Sequence, residues 1–137
     1  MNTKRIVTSE TVRSAVGHKN VLLVDDDRLA LEIGEFYFSE CGWDVHKAEN
    51  VDEAVRIFAW SQIDLVIADF HMPDKSGADL FDLVSKFKTP PAFVFLTTDP
   101  TITEIAELKK THQIDVWQKP LDPQLLYEMI MAVFGSR

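Results

Sequence analysis

The segment IDLVIADFHMPDKSG, residues 63–77, decides how the rest of the chain is read. It opens as a short, continuous run of β-branched and apolar residues, the mark of a strand buried on both faces of a sheet. The run then stops at Asp69. An uncompensated carboxylate in such a setting is heavily penalised, so Asp69 must stand at the strand's exposed tip or meet a cation there. The MPDKSG that follows turns the chain, and Gly77 is expected to meet a positive-φ demand before the next helix.

Outward from this segment the same alternation recurs. VLLV (21–24) is a second buried run, followed by Leu29, Ile33 and Phe36 at helical spacing and a stop at Gly42. WDVHKA (43–48) is a more polar strand suited to a sheet edge, and Val51, Ala54, Val55 and Phe58 share one face of the next helix. After residue 77, Leu80, Leu83, Val84 and Phe87 form the expected buried stripe, and AFVFLTT (92–98) is a fourth strand. Ile102, Ile105, Ala106 and Lys109 fall in helical register, and IDVWQK (114–119) is a fifth strand. The last helix begins near Pro123, with Leu126, Met129, Ile130 and Val133 on one face. Five β-α units with short loops predict an α/β fold, a parallel sheet with helices on both faces, because each right-handed crossover returns past a helix.

With 137 residues the chain suits one domain. It has no apolar run long enough to span a bilayer and no apolar signal core, so a cytoplasmic protein without membrane insertion is expected. Cys41 is the only cysteine, which excludes an internal disulfide. The net charge of -8 argues against a nucleic-acid surface. That charge is uneven: residues 1–19 carry Lys4, Arg5, Arg13 and Lys19 against Glu10, net +3, leaving -8 - 3 = -11 for residues 20–137. Residues 1–19 therefore read as a polar tail and 20–137 as the folded domain.

Ligands of such a sheet bind outside the carboxyl ends of its strands. The residues ending the apolar runs are Asp25, Asp26 and Asp27, then Asp69, then Thr97 and Thr98, then Lys119. Gathered on one rim, Asp25, Asp26 and Asp69 would repel one another unless a cation screened them. All-oxygen donors suit Mg²⁺, or Mn²⁺, and no Cys or His cluster offers a zinc site. One of the three consecutive acids is explained as a helix N-cap alone. A carboxylate nucleophile beside a hard divalent ion, a lysine and a hydroxyl matches the needs of phosphoryl transfer.

VLLVDDD, VIADFHMPDKSG, FLTT and WQKP, in this order, resemble the signature blocks of the receiver domain of two-component response regulators, a likeness running from about Val21 to Phe134. The resemblance implies a flavodoxin-like, doubly wound sheet of strand order 2-1-3-4-5. It implies that Asp69 is the phospho-acceptor, and that Asp25, Asp26, Asp69 and the backbone carbonyl of His71 hold the metal, with Asp26 favoured as direct ligand. It makes Thr97 the switch hydroxyl, Lys119 the partner of the phosphoryl group, and Lys119–Pro120 a cis peptide. The implied partners are a sensor histidine kinase or phosphotransfer protein, and a downstream effector or second copy meeting the fourth helix, fifth strand and fifth helix. Departures mark the modulators: Val116 stands where an aromatic is usual, Thr98 where a small residue is usual, and Asp99 lies beside them. His112 sits near a usual glycine, where it would have to tolerate the left-handed region.

Two rival readings carry different expectations. Asp25-x-Asp27 resembles the nucleophile and acid of a haloacid-dehalogenase-type phosphatase, although that family would want Thr or Val at Leu29 and a second acidic pair further on. A receiver that works by phosphate-independent interaction is the other, and the intact acceptor and metal set argues against it.

Overall fold

A computed structural model describes residues 19–112, 114–119 and 122–131. Among the described residues, five strands alternate with five helices: β1 (Asn20–Val24), α1 (Arg28–Glu40), β2 (Asp44–Ala48), α2 (Val51–Trp60), β3 (Leu65–Asp69), α3 (Gly77–Val84), β4 (Ala92–Thr97), α4 (Thr103–Thr111), β5 (Asp115–Gln118) and α5 (Pro123–Ile130). All strand pairs are parallel and their order is β2-β1-β3-β4-β5. The polar WDVHKA strand lies at one edge, as its half-buried pattern requires.

The period-two alternation of strand side chains splits the core into two layers. Leu22, Val24, Val66, Ala68, Phe93 and Phe95 face α2, α3 and α4, meeting Ala54, Phe58, Leu80, Phe81 and Ile105. Val21, Leu23, Leu65, Ile67, Val94 and Leu96 face the other way, against Leu31 and Phe38 of α1, with Cys41 and Trp43. Both faces are covered, so the central strands read as unbroken apolar runs. Each crossover brings a strand's carboxyl end to the same rim. No helix among the described residues is long and apolar enough to cross a membrane.

Several expected faces are corrected. Leu29, Ile33 and Phe36 of α1 are exposed, at 64%, 37% and 57%, while Leu31 and Phe38 are buried. The two stripes lie about 180° apart at 100° per residue. Gly34 sits within the buried one and lets the helix approach so closely that a Cβ there would stand 2.8 Å from Leu23 Cδ1. In α3, Leu80 and Val84 are buried as expected, but Phe81 takes the buried place expected of Leu83 and, beyond the helix, Phe87, which are 40% and 43% exposed. Phe81 turns inward because it meets Phe93 edge-on, with ring centroids 5.1 Å apart. In α4, Ile105 is buried and Ile102 and Leu108 pack on the core, while Ala106 and Lys109 face outward. Val51, Ala54 and Phe58 of α2 are buried as expected.

Gly42 takes positive φ, 91°, and closes α1. Gly77 does not; the left-handed residue of that turn is Asp74, at φ 69°. Gly77 is required for another reason, since a Cβ there would lie 2.7 Å from the backbone oxygen of Asp69. His112 is extended, at φ -138°, and needs no left-handed backbone. The expected stripe Leu126, Met129, Ile130 and Val133, the Lys119–Pro120 peptide and residues 1–18 of the tail fall outside the described residues and side chains.

Candidate functional site

The rim is built by the ends of β1, β3, β4 and β5, held in register by the backbone. Asp25 N–H donates to Ala48 O (3.1 Å), Phe70 N–H to Leu96 O (2.8 Å) and Lys119 N–H to Thr97 O (2.8 Å). These bonds carry each strand's register one residue past its end, where the polar side chains begin. Gly77 N–H donates to Phe70 O at 2.9 Å, pulling the start of α3 against Asp69.

Three of the acids converge, with one carboxylate oxygen from each of Asp25, Asp26 and Asp69 within 4.8 Å of the others. Asp25 and Asp69 are buried, at 2% and 7% exposure, and Asp26 is exposed. Lys119 reaches across the rim and its Nζ donates to Asp25 Oδ2 at 2.9 Å and to Asp69 Oδ2 at 3.0 Å. The other oxygens take backbone donors: Asp25 Oδ1 accepts from Asp27 N–H (2.9 Å), and Asp69 Oδ1 from His71 N–H (3.1 Å). Asp27 faces away from this cluster. Its Oδ1 caps α1 by accepting from Leu29 N–H at 3.0 Å and Ala30 N–H at 3.4 Å, the cap expected of one acid in the run. A side chain so engaged is poorly placed as the free general acid that the phosphatase reading needs.

Burial is the larger influence on Asp25 and raises its pKa, against the Lys119 ammonium and the Asp27 N–H, which favour the charged form. For Lys119, burial pulls the other way from its bonds to Asp25 and Asp69, and the bonds prevail, so its pKa is raised and the ammonium persists. One cation is thus shared by two carboxylates, with a third alongside. Formal charges of -3 and +1 leave the cluster at -2, the charge that one divalent ion balances. Hard oxygen donors with an exposed member suit an ion that keeps part of its water.

Thr97 is fully buried at the end of β4, yet its hydroxyl is turned from the acids: Oγ1 accepts from Asp99 N–H (3.1 Å) and donates to Asp99 O (3.3 Å). Asp99 in turn holds Thr101 through its Oδ1. Thr98 is exposed and lines, with Asp25, Asp27 and Lys119, one end of a groove of about 380 Å³ whose walls are apolar, among them Leu23, Ile33 and Trp117. Val116 and Trp117 are half-buried on opposite faces of β5. Sequence reasoning did not foresee this groove, whose floor is made of residues read simply as core, nor the turn joining Thr97 to Asp99.

The family model described as "Response regulator receiver domain" matches residues 21–131. The transcriptional regulatory protein LytR of Staphylococcus aureus is 31% identical over 119 residues, covering 85% of this chain and 47% of that protein. The transcriptional regulatory protein GlrR of Escherichia coli is 29% identical over 117 residues, 84% of this chain and 26% of that protein. The chain therefore spans between a quarter and a half of these relatives. Among solved structures, the Vibrio cholerae chemotaxis protein CheY4 aligns with TM-score 0.74 at 23% identity, covering 86% of this chain and 100% of that one. A response regulator receiver domain protein from Clostridium thermocellum aligns with TM-score 0.70 at 27% identity, covering 83% and 92%.

Proposed function

Because the chain belongs to the response regulator receiver domain family, we propose that it is a phospho-accepting signalling domain in which Asp69 takes the phosphoryl group. The observation that carries this reading is Lys119, whose single ammonium joins the buried carboxylates of Asp25 and Asp69 at a rim that also holds Asp26. The residues fit a divalent ion: Asp25, Asp26, Asp69 and the backbone carbonyl of His71 would hold Mg²⁺ or Mn²⁺. When bound, the ion supplies positive charge to the phosphoryl oxygens.

The chain's own residues do the rest. An Asp69 oxygen attacks phosphorus as the bond from phosphorus to the donor breaks. With a phosphohistidine donor, the electron pair returns to the imidazole nitrogen, which then takes a proton. Lys119 leaves its shared position to pair with the new charge, and its two present acceptors keep it within reach. Thr97 exchanges its two bonds to Asp99 for one to a phosphoryl oxygen, which frees the loop that Asp99 anchors. In this reading the donor is a sensor histidine kinase or phosphotransfer protein, and the altered surface is read by an effector or a second copy through α4, β5 and α5. The domain assists its own phosphorylation and dephosphorylation by placing these groups. Thr98, Asp99 and Val116 modulate access and switching.

The test is intact-mass analysis after incubation with a small acyl phosphate and Mg²⁺. The wild-type chain should gain one phosphoryl group and Asp69→Asn none, with the gain also lost in excess chelator. Undiminished labelling of Asp69→Asn would overturn the assignment. Continuous turnover of an aryl phosphate without a phosphorylated chain would favour the phosphatase instead.

A further inference from the structure

Thr97 keeps its hydroxyl turned from the acids, and what holds it there extends beyond its immediate partner. Its Oγ1 accepts from Asp99 N–H at 3.1 Å and donates to Asp99 O at 3.3 Å, so both bonds go to the backbone of one exposed residue. Asp99 is fastened in turn by its side chain, whose Oδ1 accepts from Thr101 N–H at 3.0 Å and from the Thr101 hydroxyl. The hydroxyl, ahead of the N–H, holds the Asp99 carboxyl below its ordinary value, so the acceptor stays ionised. Pro100, between the two, has a fixed φ and no N–H of its own. α4 follows with Ile102 at its N-cap position and no side chain capping it, and Ile102 packs on the core. The loop is thus tied by a relay, from Thr97 to Asp99 to Thr101, rather than by a helix cap.

We propose that Thr101 is a positioning residue of the switch: its hydroxyl pins the Asp99 carboxylate, which keeps the Asp99 backbone where it binds Thr97, and so sets how readily Thr97 is released to the phosphoryl group. The inference rests on the phospho-accepting reading and gives it a regulator whose hydrogen bonds go to Asp99 rather than to the acid cluster. A threonine hydroxyl has one proton to donate, and that of Thr97 is committed to Asp99 O. Donation to a phosphoryl oxygen therefore requires the Asp99 contact to break. The N–H of residue 101 would be supplied by any residue except proline, whereas the second donor needs a hydroxyl there. Its acceptor is a carboxylate, and such charge-assisted bonds are roughly twice as strong as neutral ones. Asp99 and Thr101 are both exposed, so water can replace the pin and the relay remains releasable. Loosening it raises the fraction of chains with a free Thr97 hydroxyl, and a ligand that engages that hydroxyl binds tighter in proportion.

The full chain, Thr101→Val and Thr101→Ser are titrated in Mg²⁺ with beryllofluoride, a stand-in for the phosphoryl group, by isothermal calorimetry, and Asp99 amide exchange is followed by NMR in the free chains. Thr101→Val keeps the N–H and the branched shape and loses the donor. It should bind beryllofluoride about three- to tenfold tighter than wild type, the range of one hydrogen bond, and its free Asp99 amide should exchange faster by a similar factor. Thr101→Ser should match wild type in both measurements. Added to Thr97→Val, which has no hydroxyl to release, Thr101→Val should alter the affinity by less than about twofold, a coupling that a merely structural role would not produce. Equal affinity of wild type and Thr101→Val, or the same gain in the Thr97→Val chain, would overturn the proposal. A wild-type chain that binds no beryllofluoride would overturn the phospho-accepting reading and this role with it; that failure is told apart from failure of the relay alone because Asp99 exchange would still respond to Thr101→Val.

Discussion

Two glycines offer the same apparent crowding with opposite consequences. A Cβ at Gly77 would stand 2.7 Å from Asp69 O and 3.0 Å from Phe70 Cα, well inside the 3.4 Å at which ordinary contact begins. Both neighbours are backbone, and both are pinned because Phe70 donates to Leu96 O and accepts from Gly77 N–H. Neither yields without moving the strand end that carries Asp69. A Cβ at Gly34 would stand 2.8 Å from Leu23 Cδ1, but the next atom is at 3.9 Å and belongs to the same flexible side chain. Leu23 lines the groove beside Gly34 and has room to turn, at a cost of about 0.5–1.5 kcal/mol. Replacing glycine by alanine inside a helix contributes about 1 kcal/mol in return. Gly34→Ala should therefore lie within about 1 kcal/mol of wild type. Gly77→Ala should lose about 1–3 kcal/mol to overpacking. A loss of 2 kcal/mol moves a urea midpoint by roughly 1 M at typical slopes. The transition can be followed by fluorescence of Trp43, which is 6% exposed and packs edge-on against Phe38. Gly77→Ala as stable as Gly34→Ala, at equal slopes, would refute the argument that immovable backbone decides the sign.

Lys119→Met leaves Asp25 and Asp69 buried without their shared cation and should cost about 3–5 kcal/mol in chelator, with a smaller loss in Mg²⁺; equal losses by urea unfolding would argue that no ion enters the cluster. Burial pushes the Cys41 thiol up from 9.0 to about 11, with the Glu40 charge adding to it. A raised folded pKa gives stability that is full below pH 9 and lost as pH rises through 11, so between those values wild type should lose more stability than Cys41→Ala. A parallel decline of the two chains would contradict this. Val116 has no ring to swing behind Thr97, so beryllofluoride, standing in for the phosphoryl group, should change amide exchange most in residues 97–106 and little at 115–118. A dominant change at Val116 and Trp117 would place the switch in β5.

How far the sequence foretold this structure depended on whether each residue's role was written in its own side chain. Asp25, Asp69, Thr97 and Lys119 end apolar runs, and a parallel sheet turns that position into a place on one rim, so their convergence followed from strand boundaries alone. The faces of α1 did not follow, because two apolar stripes compete there and the buried one includes Gly34, whose contribution is a missing side chain that no apolar count registers. Gly77 misled for a related reason. Glycine after a turn suggests positive φ, yet Asp74 takes that conformation and Gly77 serves the approach of α3 to the carbonyl of Asp69. In both places the deciding quantity is a distance between backbones far apart in sequence. Local pattern sets which residues are apolar or charged; only the packed sheet determines where the absence of a Cβ is needed. That is why the chemistry at the strand ends was legible while the helix faces that support it were not.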